Sequence, residues 1–319
     1  MDNILLKVEN LKKYYSVGKS LFEKPKTLKA IDDISFYIKK GETVSLVGES
    51  GCGKSTTGKM ILRIEDPTDG KIIYNGNDIV KLSKKELSEY RKKVQIIFQD
   101  PYSSLNPRWK VGQIIGEPLL LSGQKIENYK EKILEIMDKV GLLQDHFDRY
   151  PHQFSGGQRQ RICIARSLIL RPELIVCDEP VSALDVSIQS QVLNLLLELQ
   201  KEFNLTYLFI SHDLSVVNHI SNRIIVMYLG KIVESGSADA IINNPRHPYT
   251  KALLSAVPEV SAERKKERLI LQGDIPTPLN PPPGCRFSTR CPFAKSECSE
   301  IDMNLIEIEK EHYTACPFQ

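Results

Sequence analysis

Three stretches of this 319-residue chain carry residue types that can do chemistry at the spacing the chemistry needs. The first is Gly48-Glu49-Ser50-Gly51-Cys52-Gly53-Lys54-Ser55-Thr56, directly after the apolar run Thr43 to Val47. Its glycines let the backbone curl so that successive N–H groups cradle phosphate oxygens, and the N-terminus of a following helix adds the positive end of its dipole. In such a loop Lys54 reaches the β- and γ-phosphates and the Ser55 hydroxyl holds Mg²⁺. The second stretch, Leu174-Ile175-Val176-Cys177-Asp178-Glu179, is an apolar strand delivering two carboxylates at the edge where open parallel sheets bind ligands. One acid can organise the shell of Mg²⁺ while the next polarises an attacking water. In the third, Phe154-Ser155-Gly156-Gly157-Gln158, a hydroxyl and unshielded backbone N–H groups open a helix, making a second phosphate-binding N-terminus. Ser155 falls 101 residues after Lys54 and 23 before Asp178.

A fourth cluster is of a different kind. Of seven cysteines, Cys285, Cys291, Cys298 and Cys316 crowd into the last 35 residues as C-x5-C-x6-C-x17-C. In a reducing compartment these read as thiols or metal ligands rather than disulfides. The steps Cys291-Pro292 and Cys316-Pro317 resemble one end of bacterial ferredoxin runs. A tail this short buries too little apolar surface to fold unaided, so four thiolates clamping a metal centre are the expectation. The missing tight C-x2-C pairs favour a [4Fe–4S] cluster, in a structural role, over zinc. Structural Zn²⁺ and plain or disulfide-bonded cysteines stay open as alternatives. The Cys52 thiol is expected to be a spectator.

These residues need elements to hold them. Strands are expected at Leu5 to Leu11 and Ala30 to Ile38, separated by a polar, mobile loop through about Thr27. Lys71 to Tyr74 with the Asn75-Gly76 turn predicts a hairpin, so the chain opens on a small antiparallel sheet. Helical spacing over Lys84 to Arg91 precedes a buried strand, Val94 to Phe98. From Pro101 to about Leu170 the pattern is helical, with Tyr129, Ile133, Met137 and Val140 at helical intervals and Gly141 as a C-terminal cap. Strands at Leu174 to Cys177, Tyr207 to Ile210 and Ile224 to Leu229 alternate with helices, one of them marked by Val192, Leu193, Leu196 and Leu199, which means a parallel sheet. Beyond Pro258 come a charged stretch, Ser261 to Arg268, and a density of prolines, Pro276, Pro278 and Pro281 to Pro283, that excludes regular helix or sheet there. The expected division is 1–258, with a helical subdomain at about 101–170, and a Pro/Cys-rich extension at 259–319.

Composition excludes several classes. With 43 Lys+Arg against 40 Asp+Glu, the charge of +3 does not point to nucleic acid or an anionic membrane surface. No apolar run approaches the roughly 20 residues of a membrane helix, and Met1-Asp2-Asn3-Ile4 lacks a basic-then-apolar secretory pattern, so a cytosolic chain is expected.

Ser-Gly-Gly-Gln opening a helix, with Arg159-Gln160-Arg161 behind it, resembles the signature of the ATP-binding cassette (ABC) family. The resemblance implies an α/β fold: an ABC-type P-loop NTPase core with a parallel sheet, an antiparallel β-subdomain and a helical subdomain, followed here by a small irregular Cys-rich extension. It implies that two cassettes close head to tail around two ATP molecules, Ser155, Gly156, Gly157 and Gln158 capping the ATP bound by the partner. Matched residue by residue, Gln99 resembles the glutamine that senses Mg²⁺ and the attacking water, and Ser182-Ala183-Leu184-Asp185 the loop through which the cassettes inspect each other. His212 resembles the switch histidine on the γ-phosphate, and Tyr15, with Tyr14 as alternative, the aromatic that stacks on adenine. Glu179, His212 and Gln99 are thus the expected catalytic set, and Ser55, Gln99 and Asp178 the Mg²⁺ set. His146, His152, His219, His247 and His312 are expected to be ordinary satisfied surface residues. Phe154 replaces the commoner Leu, at a side chain that packs rather than touching phosphate.

The tail narrows the family. Asn244-Pro245-Arg246-His247-Pro248-Tyr249-Thr250, Gly273-Asp274-Ile275-Pro276 and Asn280-Pro281-Pro282-Pro283-Gly284-Cys285 are similar to the C-terminal extension of dipeptide/oligopeptide importer ATPases. With Ile96 through Pro107, they resemble the F-type member of the paired ATPases of that family, whose members carry an iron–sulfur cluster on this cysteine pattern. The resemblance implies a peripheral subunit on the cytoplasmic face of the membrane, paired with a homologous ATP-binding subunit (a homodimer in isolation being the alternative). It also implies two transmembrane permease subunits, an extracytoplasmic substrate-binding protein reached indirectly, and a coupling face around Gln99 to Pro107. Two alternatives stay open: the same ATPase serving nickel or another small solute, and a soluble non-transport ABC ATPase, though the latter usually carries two cassettes per chain.

Overall fold

The computed structural model describes residues 3–18, 26–123, 127–256, 273, 276–300 and 303–318. Much of the polar loop before Thr27, the boundary near 258, the charged stretch Ser261 to Arg268 and Asp274-Ile275 lie outside them. The chain forms two compact units, one of Met1–Asn3, Lys39–Glu42 and Lys81–Ile210, the other of Ile4–Ile38, Thr43–Val80 and Ser211–Gln319.

In the first unit three strands, Val94–Ile97, Leu174–Asp178 and Thr206–Ser211, run parallel with Val94 opposite Leu174 and Cys177 opposite Phe209. Leu174 to Cys177 are wholly buried, as expected of a parallel strand covered on both faces. Around them stand the helices Lys84–Lys93, Val111–Leu121, Tyr129–Lys139, Gly156–Leu168 and Val186–Phe203. The first starts on a capping box in which Ser83 Oγ accepts from Glu86 N and Glu86 Oε2 accepts from Ser83 N. The helix Tyr129–Lys139 buries Ile133, Ile136 and Met137 against Val111–Leu121 and Gly156–Leu168. It ends, as its sequence predicts, with Gly141 at φ +71°, a left-handed position that favours glycine.

The second unit contains two sheets. One places Lys26–Lys39, Ile4–Val17, Asp69–Tyr74 and Asn77–Asp78 side by side, with Leu6 opposite Tyr74 and Ile73 opposite Asp78 across the Asn75-Gly76 turn. The other contains Thr43–Val47, parallel to Arg223–Tyr228, which pairs antiparallel with Lys231–Ser237. A hairpin of Ile306–Glu309 and His312–Thr314 then extends it, Thr314 lying opposite Glu234. That hairpin was not anticipated: it follows the prolines, and its pairing partner is some 80 residues earlier in the chain. Beneath it Glu234, fully buried, accepts from the N–H groups of Arg246 and His247 and pairs with His312 Nε2 at 2.8 Å. His312 and His247 are thus interior residues held around Glu234 rather than the surface residues expected, and among the described residues His312 Nδ1 is buried without a hydrogen-bond partner.

Candidate nucleotide site

The strand Thr43–Val47 has every residue buried and delivers the chain into Gly48. A Cβ on Gly48 would lie 2.2 Å from the Met227 carbonyl oxygen, and one on Gly53, at φ +109°, 2.7 Å from the Ala30 carbonyl oxygen. These two glycines are therefore demanded by close backbone approach as well as by the curl of the loop. Lys54 is 5% exposed, and its Nζ donates to the carbonyls of Gly48 (2.7 Å) and Glu49 (3.0 Å), lying across the loop it would share with phosphate. Ser55 and Thr56 occupy the first turn of the helix Lys54–Ile61. The Cys52 thiol is buried 3.9 Å from Lys54 Nζ, and burial raises its pKa despite that neighbour, which fits a spectator.

Tyr15 stands on the strand Ile4–Val17 with its hydroxyl bonded to the Glu65 carboxylate and in contact with Thr56. Burial first, and Glu65 second, push its pKa up to about 12. Tyr14 instead bonds Asp32, part of an ion pair with Arg286, so of the two aromatics Tyr15 is the one tied to the loop's helix. His212 is exposed between the strand Thr206–Ser211 and the helix Leu214–Ile220.

In the other unit the structure brings Gln99 and Glu179 together: Gln99 Nε2 donates to Glu179 Oε2 at 3.0 Å. Asp178 ends the strand Leu174–Asp178, and Glu179 follows at φ +48°, a left-handed backbone uncommon for a residue with a side chain. Its N–H donates to Ile210 O, and its carbonyl accepts from both the N–H and the hydroxyl of Ser182. The signature turn is a capping box, Ser155 Oγ accepting from Gln158 N and Gln158 Oε1 from Ser155 N. Ser155 and Gly156 are exposed, whereas Gly157 is buried so closely that a Cβ there would lie 2.5 Å from Ile188 Cγ2. Phe154 packs edge-on to His146 at 5.0 Å between ring centroids, the packing role expected for it. Asp185 caps the helix Val186–Phe203 through its carbonyl, and its side chain is exposed.

Supporting residues that local sequence patterns did not reveal complete these clusters. Gln189 Nε2 holds the carbonyls of Val181 and Leu184, bracing the loop between Glu179 and Asp185. Tyr249 accepts from Glu49 N at 2.8 Å, and Arg290 pairs with the Glu49 carboxylate. Tyr249 and Arg290 act across 200 and 241 positions of chain, which no local pattern announces.

The four tail cysteines lie within electrostatic reach of one another. Burial first, with the other three thiols adding to it, raises Cys285 to about 11. Among the described residues, no group of three or more His, Cys, Asp or Glu is gathered for a metal ion.

Residues 31–182 match the ABC transporter family, and residues 233–298 the C-terminal region of oligopeptide/dipeptide transporters. The chain is 53% identical to the dipeptide transport ATP-binding protein DppF of Escherichia coli (strain K12), over 94% of this chain and 90% of that one. It belongs to the dipeptide/oligopeptide ABC transporter ATP-binding subunit family. This cassette is also 53% identical to the oligopeptide transport ATP-binding protein AppF of Bacillus subtilis (strain 168), over 98% of this chain and 96% of the other. Among solved structures it is similar to a dimeric ATP-binding cassette in a post-hydrolysis state bound to ADP and Pi, at 28% identity and a TM-score of 0.65, covering 73% of this chain and 99% of that one. The cassette is thus an ABC ATPase with the P-loop fold its motifs imply. Among the described residues no helix is long and apolar enough to cross a membrane.

Proposed function

We propose that this cassette is the ATP-hydrolysing subunit of an importer for dipeptides or oligopeptides. It works at the cytoplasmic face of the membrane, head to tail with a homologous ATP-binding subunit. Two permease subunits stand above the pair, and an extracytoplasmic binding protein supplies the peptide. The relatives named for dipeptide and oligopeptide transport support the cargo class. The observation that carries the hydrolytic role is the Gln99–Glu179 hydrogen bond, on a carboxylate whose backbone is held left-handed. Glu179 can accept the proton of the water attacking the γ-phosphate, with Gln99 orienting it and His212 on the phosphate side. Lys54 and the loop amides take the phosphates, Tyr15 faces adenine, and the turn that exposes Ser155 and Gly156 is left for the partner's ATP. The oxygens of Ser55, Asp178 and Gln99 are of the kind Mg²⁺ prefers. Tyr102, 68% exposed and 5.2 Å from the Arg159 guanidinium, suits a coupling face beside Gln99.

The test is Glu179→Gln in the complex reconstituted with its partner subunits in vesicles. ATP binding persists while ATP turnover and peptide uptake are lost. Undiminished hydrolysis would remove Glu179 from its role, and ATP-driven uptake of nickel but not peptide would remove the cargo.

The extension is proposed to hold a [4Fe–4S] cluster on Cys285, Cys291, Cys298 and Cys316. Cys285 lies within electrostatic reach of Cys291, Cys298 and Cys316, and their spacing lacks the tight C-x2-C pairs of zinc knuckles, which suits a cluster more than one zinc. The Lys295 N–H already points at Cys298 Sγ, 3.4 Å away, and Gly284, at φ +62°, lets Cys285 N reach Cys298 O. When bound, the cluster would supply a covalent cross-brace to a segment with little core. Iron, zinc and acid-labile sulfide analysis of anaerobically purified protein, with Cys298→Ser beside it, decides the matter. About four irons and four sulfides per chain, lost in the variant, are expected, whereas one zinc or no metal would overturn the assignment.

A further inference from the structure

Between Cys285 and Cys291, the residues Arg286 to Arg290 have no part in the chemistry above, yet they are built into the back of the phosphate loop. Phe287 is fully buried, its ring 5.3 Å from those of both Tyr228 and Tyr249. Tyr249 is the residue whose hydroxyl accepts from Glu49 N. Arg286, directly after Cys285, donates to Leu229 O and forms a buried ion pair with Asp32. Arg290, directly before Cys291, grips the Glu49 carboxylate with both ends of its fork, Nη1 to Oε2 at 2.8 Å and Nη2 to Oε1 at 3.1 Å. Its side chain is 8% exposed and leans on the ring of Tyr228.

Glu49 is the one acidic residue in Gly48 to Thr56. A carboxylate in a loop that gathers anionic oxygens works against that task. A bidentate guanidinium removes the opposition twice over, cancelling the charge and fixing the second residue of the loop. Lysine could cancel the charge but not fix both oxygens.

We propose that Arg290 is a positioning residue for the phosphate loop: by pairing with Glu49 it makes the affinity for ATP depend on the C-terminal cysteine segment. The proposal rests on Gly48 to Thr56 being the phosphate loop. In Arg290→Ala the carboxylate is left unpaired beside the phosphates and the Kd for Mg·ATP rises about tenfold. Arg290→Lys raises it only about two- to threefold. In Glu49→Gln/Arg290→Ala the charge that caused the loss is gone, so its affinity matches that of Glu49→Gln alone.

The experiment is calorimetric titration of the purified full-length chain and these four variants with Mg·ATP, with KM and kcat for ATP measured alongside. KM is expected to follow Kd while kcat at saturating ATP is held, a split that general unfolding would not produce. Arg290→Ala binding as tightly as the parent would overturn the proposal. So would a loss of affinity that Glu49→Gln does not relieve, since Arg290 would then be only a strut of the fold. Failure of the parent chain to bind Mg·ATP would instead overturn the phosphate-loop assignment, and the proposal with it.

Discussion

Replacing Phe287 by alanine tests whether the cysteine extension is a pendant or part of the ATPase core. Phe287 is fully buried and touches the rings of Tyr228, Tyr249 and, at 5.9 Å, His247. Removing a buried phenylalanine costs about 3–5 kcal/mol through lost transfer energy and the cavity left behind. Ring–ring contacts of this kind add about 0.5–1.5 kcal/mol each beyond area burial, so the upper half of that range is expected. Phe287→Leu keeps most of the volume and should cost about 1.5 kcal/mol or less. The loss should also reach the nucleotide, because Tyr249 packs on Phe287 and binds Glu49 N. Urea unfolding of the full-length chain, followed by circular dichroism, gives the stability difference, and Mg·ATP titration gives the affinity. A Phe287→Ala protein within about 1 kcal/mol of the parent, with unchanged affinity, would refute the reasoning: the aromatic cluster would then be a contact without energetic weight.

Two other outcomes are expected. Burial pushes His247 down to about 3, and its Nδ1 accepts from Tyr249 N at 3.1 Å, a cap that only the neutral ring can make on that nitrogen. The unfolded chain takes up this proton near pH 6.5 and the folded chain only near 3, so His247 contributes stability that is full above about 6.5 and lost as pH falls through that window. His247→Asn keeps a capping side chain and should lose about 2 kcal/mol less stability than the parent between pH 7 and 5, read from unfolding at both pH values; parallel pH profiles would contradict this. Gln99→Ala removes a hydrogen bond to a charged group, worth about 1.5–3 kcal/mol, and should lower kcat for ATP about tenfold or more while Kd changes less than about twofold; an equal loss in both would make Gln99 a binding residue.

The motifs were legible because each is a local pattern with a local cause. The strand Thr43–Val47 is apolar because it is buried throughout, and the glycines after it are held by close backbone neighbours. Element ends were less legible. The helix read from Val192 begins at Val186, because its first turns are largely exposed and carry no apolar rhythm. The first two strands run 14 residues each, beyond the shorter apolar runs, since backbone pairing continues where alternation fades. What stayed hidden was long-range: Arg290 meets Glu49 across 241 positions, and Tyr249 meets Glu49 across 200. An arginine between prolines and cysteines has no periodicity to mark it.

The unit that contains the phosphate loop is assembled from Ile4–Ile38, Thr43–Val80 and Ser211–Gln319, with His312–Thr314 paired to Lys231–Ser237. During synthesis its opening strands emerge long before their latest partners do. The stretch Lys81–Ile210 of the other unit has most of its contacts available once Ile210 has left the ribosome, whereas the phosphate-loop unit waits for His312–Thr314. Glu49 meets Arg290 across 241 positions, so a nascent chain that has not yet reached Arg290 lacks this support for the phosphate loop.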